Sequence, residues 1–333
     1  MGIKILLLAL ALFTSENKSE EVKLTKYSQG NKETTLSVGT IYSKESSIGK
    51  LLLNWKNKVS KKTNGEIKIK LYFDGDQGDE EAMVAKMRAG QLDGAALTDG
   101  LGMISKPISA VEMPGLYKDS VGLYRAMRRG LPVFRQQFAK EGMALIGITT
   151  TFNYLLSKGL PIKLPEELKS RKVRTDSDSY IDYTMAQTFG YTGVHVDENE
   201  ILPSLQQGRI NVLITSVSKA KNLQWISYLD HVMTTPVSVE IGGLVFLKNK
   251  IDGLSSEHRE ILISTFANLA NKYSNALLKS DETWLTSSSR YYKTTLTDNE
   301  KGKWHKAFGL VRQNLGAKGI YPAAWISKLE KGL

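Results

Sequence analysis

The sequence predicts an α/β fold of two lobes, each a mixed or parallel sheet flanked by helices, with one long helix along the back. Three observations carry this prediction. Strand-like alternation and helix-period segments succeed one another from residue 34 onward, which favours a mostly parallel sheet covered by helices. The same order restarts after residue 150. A long amphipathic pattern over residues 255–289 carries Ile261, Leu262, Phe266, Leu269, Tyr273, Leu277 and Trp284 on one stripe. At about 1.5 Å per residue that helix reaches roughly 50 Å, wider than one small domain.

The elements follow in order. Residues 34–39 alternate as a strand, 49–61 place Leu51, Leu52, Trp55 and Val59 at helical spacing, and 66–73 alternate again, which completes a βαβ unit. Residues 80–88 form a helix stopped by Gly90, and 92–98 a strand of small residues. A buried strand ends near Thr149, where the chain crosses to the second lobe. There 172–175 is a short strand, 178–189 a helix closed by Gly190, and 199–207 a helix closed by Gly208. The expected limits are 34–150 plus 241–270 for lobe I, 151–240 plus 285–333 for lobe II, and hinges near 150 and 240. Ligands of such sheets bind beyond the carboxyl ends of the strands, so a cleft is expected from topology.

The N-terminus has the order of an export signal: Lys4, an apolar run from Ile5 to Phe13, then polar residues. Residues 1–15 are read as that signal and 16–33 as a polar tether, which places the folded part in the periplasm or otherwise outside the cytoplasm. The apolar run is too short to span a bilayer comfortably. With no cysteine there is no disulfide, no thiolate metal site and no lipobox residue to acylate. The formal net charge is +11, and residues 290–333 hold nine basic residues against three acidic ones. No nucleic-acid-binding signature accompanies this excess, which reads as a solvated basic face.

Several blocks resemble the DctP-like solute receptors of TRAP transporters. They are Asn64-Gly-Glu-Ile-Lys-Ile-Lys-Leu-Tyr72 with Gly78-Asp-Glu80, Met87-Arg-Ala-Gly-Gln-Leu-Asp93, Pro161-Ile-Lys-Leu-Pro-Glu-Glu-Leu-Lys169 with Lys172-Val-Arg174, and Glu200 with Leu205-Gln-Gln-Gly208. The resemblance implies a two-lobed fold like that of periplasmic binding proteins, a membrane permease as partner, and an arginine that pairs with a ligand carboxylate. That arginine falls on Arg174, whose planar fork of donors matches two carboxylate oxygens. The candidate ligand set is Arg174, Asn153, Thr215, Thr98, Asp99, Ile41 and Glu198. Closure over a small organic acid needs no covalent chemistry and no cofactor, so the chain is read as a receptor and not an enzyme.

Three departures from the family's pattern modify this expectation. Asn153 stands where the family has a second arginine, Asn211-Val-Leu-Ile-Thr-Ser216 replaces an Asp-Gly step, and Pro114-Gly115 replaces a Pro-Phe turn. Val212, Leu213 and Ile214 either form a buried strand or, near the expected cleft, favour a monocarboxylate with an apolar body. They also admit an alternative, a periplasmic carrier of an apolar or lipid-like ligand working with a helical-repeat partner. Other chemistries lack their parts. Ser47-Ile-Gly-Lys50 has serine-x-x-lysine spacing without the companion Lys-Thr-Gly and Ser-Asp-Asn motifs. Asp74-Gly-Asp-Gln-Gly-Asp79 has Gly78 at a calcium-ligand position and reads as a turn, and the four histidines show no metal spacing.

Overall fold

The computed structural model describes residues 33–177, 179–287 and 292–332. The expected export signal, the tether apart from Glu33, and Tyr291 lie outside them. Among the described residues the strands are β1 (Thr34–Gly39), β2 (Ile67–Tyr72), β3 (Gly94–Leu97), β4 (Met143–Ser157), β5 (Lys172–Thr175), β6 (Thr192–His195), β7 (Val212–Thr215), β8 (His231–Met233), β9 (Ser238–Leu247) and β10 (Tyr292–Thr294). They run in the order β2-β1-β3-β9-β4-β7-β5-β6, with β8 joined to β4 and β10 to β8.

The first βαβ unit forms because its patterns agree with its packing. β1 and β2 pair in parallel from Thr34 opposite Ile67 to Gly39 opposite Tyr72. Leu36, Val38, Ile67 and Ile69 are buried while Lys68 and Lys70 face outward. The helix Ser47–Lys62 between them starts at Ser46, whose hydroxyl accepts the Gly49 N–H at 3.0 Å. Its apolar face of Leu51, Leu52, Trp55 and Val59 turns inward, and Trp55 donates Nε1–H to the Leu262 carbonyl at 3.2 Å. The serine-x-x-lysine match is thus the first turn of a capped helix. In the acidic loop, Asp74, Gly75 and Gly78 take positive φ, and Asp79 caps the helix Glu80–Arg88 by accepting from Ala82 at 2.8 Å.

The crossings expected near 150 and 240 are made by two paired strands and not by loops. β4 runs antiparallel to β9 from Met143 opposite Leu247 to Asn153 opposite Ser238, then continues as Tyr154–Ser157 against β7. One strand therefore belongs to both lobes, because its two ends find hydrogen-bonding edges in different sheets. The pairing is irregular between Leu145 and Gly147, and Arg135 donates to the carbonyls of Leu145 and Ile146 there. The long helix, Ser256–Ser287, lies against β4, the helix Ser47–Lys62 and the helix Val217–Asn222, and so touches parts of both lobes.

The C-terminal residues join the lobes as well. Helix Asp298–Ala317 packs on helix Tyr180–Phe189 and also sends Arg312 to the Pro114 carbonyl, while Trp325 donates to Pro107 at 2.9 Å. The Pro114-Gly115 departure has a cause here. Gly115 takes φ +70°, and a Cβ on it would lie 2.7 Å from Phe308, so an aromatic ring from the tail fills the space beside the turn.

Candidate functional site

The expected apolar cleft is absent from the segment that suggested it. Val212 and Leu213 are fully buried in β7, between β4 and β5, and Ile214 packs against the same core. A strand with neighbours on both edges and helices on both faces needs apolar residues for its own burial. Their hydrophobicity therefore says nothing about the ligand.

A cavity of about 170 Å³ opens instead where the two sheets meet. Tyr42 and Thr98 reach it from the carboxyl ends of β1 and β3, Thr149, Thr150 and Thr151 from β4, and Glu240 and Gly242 from β9. The second lobe adds Glu198, Ser216 and Lys219, and the back helix adds Phe266 and Tyr273. Gly242 leaves room for the Thr149 hydroxyl, which a Cβ there would approach to 2.8 Å. The volume is similar to that of the ~150 Å³ engineered cavity that accepts benzene, though this cavity is open to solvent on one side.

Charge is concentrated around this cavity. Lys219 lies 2.6 Å from Glu198 and 3.9 Å from Glu240. Burial would lower its pKa, but the two carboxylates prevail and hold the ammonium firmly protonated. Burial and the nearby Glu240 push the Tyr42 phenol upward, so it stays neutral. Asp99 is pushed up to about 6 by burial and by the carboxylates of Asp176 and Glu240. Glu80 accepts from the Thr98 N–H and hydroxyl and the Gly100 N–H, yet burial outweighs these bonds and lifts it to about 7. Asp182, buried while accepting from the Asp176 N–H, is also lifted to about 7. Glu112, wholly buried and bonded to the Ile241 N–H at 3.0 Å, is raised well above the carboxylate range.

Arg174 is one of the charges acting on Asp99. Its Nε donates to the Val196 carbonyl at 3.0 Å, and its two terminal nitrogens bond both oxygens of Asp176, one at 2.7 Å. The fork that matches a carboxylate is already filled by one from the chain itself.

Residues 38–318 match the family of bacterial extracellular solute-binding proteins, family 7, the DctP family. The chain belongs to this family. It is 23% identical over 279 residues to the 2,3-diketo-L-gulonate-binding periplasmic protein of Escherichia coli, covering 81% of this chain and 83% of the relative. Its fold is similar to that of a TRAP periplasmic solute-binding protein from Ochrobactrum anthropi, whose C-terminus is bound in the ligand-binding pocket (TM-score 0.80, 17% identity, 91% and 95% of the chains). It is likewise similar to one from Chromohalobacter salexigens with bound D-glucuronate (TM-score 0.78, 15% identity, 90% and 100%). The two-lobed architecture expected from the sequence is thus that of this solute-binding family.

Within this family-7 protein the candidate residues separate into three groups. Thr98 and Glu198 line the cavity. Arg174 and Asp99 are outside the lining; Arg174 is among the charges that act on Asp99. Ile41, Thr215 and Asn153 are outside the lining: Ile41 is exposed, and Thr215 is a buried end of β7 whose successor Ser216 reaches the cavity. Asn153 bonds Ser238 at 3.4 Å while its buried carbonyl oxygen has no partner. Sequence reasoning missed Tyr42, Lys219, Glu240 and the threonines of β4. Glu240 left a signal, a charged residue inside the otherwise apolar run of β9, where an unpaired charge would be costly.

Proposed function

We propose that this solute-binding protein is the extracytoplasmic receptor of a TRAP-type transporter, taking a small organic acid between its lobes and presenting the closed form to membrane permease subunits. The observation that supports it best is the cavity itself, small and lined from both lobes by Tyr42, Thr98 and Glu240 on one side and Glu198, Ser216 and Lys219 on the other. A ligand touching both walls favours the closed arrangement by the difference in its affinity for the two states. The named relative binds 2,3-diketo-L-gulonate, and similar structures hold D-glucuronate, L-gulonate or succinate, all organic acids.

Arg174 is the carboxylate partner in this reading. Asp176 occupies its fork, and in this reading the ligand's carboxylate replaces Asp176 on the same donors. The alternative, carriage of an apolar or lipid-like ligand to a helical-repeat partner, draws no support from Val212 and Leu213, which belong to the core, but Leu51, Leu52, Leu97, Leu223 and Leu277 in the cavity wall keep it as the second reading. Calorimetric titration with sugar acids, hydroxy acids and dicarboxylates tests the proposal, using wild type and Arg174→Ala. The substitution should weaken binding at least tenfold, about 1.4 kcal/mol, with circular dichroism unchanged. Undiminished affinity would remove Arg174 from the site, and recovery of lipid from purified protein would favour the carrier.

A further inference from the structure

We propose that the ligand of this cavity carries a protonated nitrogen in addition to its carboxylate, so that the substrate class is a small zwitterion of the amino-acid or betaine type. The inference rests on the organic-acid reading above and narrows it.

Charge balance is the first argument. The charged residues lining the cavity are Glu198, Glu240 and Lys219, two carboxylates against one ammonium. Beside them Arg174 is balanced by Asp176, and Asp99 adds a further acid. A ligand bearing only carboxylates would add negative charge to a region already in excess of it, where screening by water is reduced. A zwitterion adds none and offers its cation to the surplus acids.

The lining supplies a second argument. Tyr42, Phe266 and Tyr273 border the same cavity as Glu198 and Glu240, alongside aliphatic Leu51, Leu97 and Leu277, and aromatic rings together with carboxylates are a combination that recognises ammonium and quaternary nitrogen. Thr151 supplies the third. It is 6% exposed, lines the cavity on the same face of β4 as Thr149, and its hydroxyl has no hydrogen-bond partner. A buried hydroxyl without a partner is costly, and a polar ligand group in the cavity would satisfy it. Among the described residues no group of three His, Asp or Glu side chains is placed to hold a metal ion, so the acids are not arranged as a metal site.

The test uses matched pairs of small molecules that differ in the nitrogen: aspartate with succinate, 4-aminobutyrate with 4-hydroxybutyrate, and glycine betaine with 3,3-dimethylbutyrate. Each is titrated calorimetrically into full-length protein freed of co-purified ligand. In at least one pair the nitrogen-bearing member should bind at least tenfold more tightly than its mate. Glu240→Gln should then remove most of that tenfold preference, by weakening the nitrogen-bearing member and not its mate. Glu198→Gln serves the same purpose if Glu240→Gln does not fold. If the nitrogen-free acids bind as tightly in every pair, the zwitterion inference is wrong and the organic-acid reading stands. If 4-aminobutyrate and butylamine bind equally, the nitrogen site stands and the carboxylate reading fails. Binding by no member of any pair counts against both.

Discussion

Asp176→Asn gives the sharpest check on how Arg174 works. Asp176 bonds both terminal nitrogens of Arg174, so under the proposed role of Arg174 a ligand carboxylate displaces an internal one. A charge-assisted pair of this kind contributes about 1.5–3 kcal/mol when shielded. The side chains of Arg174 and Asp176 are 21% and 40% exposed, so the value is discounted toward surface pairs, to about 1 kcal/mol. Removing the competing charge should therefore tighten carboxylate binding about fivefold. Asp99 should also titrate lower, because Asp176 is one of the carboxylates raising it. Calorimetric titration of both proteins with one organic acid measures the first effect, and NMR titration of side-chain carboxyls the second. Unchanged or weaker binding by a folded Asp176→Asn protein would show that Asp176 positions Arg174 for the ligand instead of blocking it.

Other outcomes follow from the same structure. Glu80 and Asp182 are lifted to about 7, Asp99 to about 6, and Glu112 is raised further. The folded state thus holds more protons than the unfolded chain between about pH 4 and pH 7, and stability should fall as pH rises through that window. A urea midpoint higher at about pH 5 than at about pH 7.5 is expected; a flat or opposite profile would mean that these carboxyls are ionised in the fold. Asp93 opposes this trend: burial would raise it, but the Ser37 N–H and hydroxyl and Lys250 prevail and hold it low, so its share of stability is lost only in stronger acid. Trp55→Ala should cost about 3–5 kcal/mol, since the ring is fully buried against Phe246 and Phe266; calorimetry showing less than about 1 kcal/mol would discount that contact. Gly115→Ala should destabilise more than Gly142→Ala in urea unfolding, because both take positive φ and only Gly115 faces a ring.

Much of the fold was legible because local pattern and tertiary burial agree. The faces of β1, β2 and the helix Ser47–Lys62 are those the periodicity indicated, and Gly190 ends its helix at φ +73°. The back helix, expected over 255–289, is found over Ser256–Ser287. Its stripe also buries Ser274 and Asp281, which apolar periodicity does not reveal. Ser274 receives the Thr150 N–H at 2.9 Å, and Asp281 accepts from Ser218, one residue before Lys219 in the cavity wall.

By itself the sequence determined the two-lobed α/β class, the order of elements from residue 34 to 98, the long back helix and the family to which the chain belongs. Those features are written in periodicity, capping residues and motif order, all properties of neighbouring residues. The structure alone decided the character of the site. Asp99 with Glu112, Asp176 with Asp182, and Glu240 come from three separate parts of the chain, and only packing brings their charges together. It also separated Val212 and Leu213 from the cleft, because a run of apolar residues records that a strand is buried without recording against what.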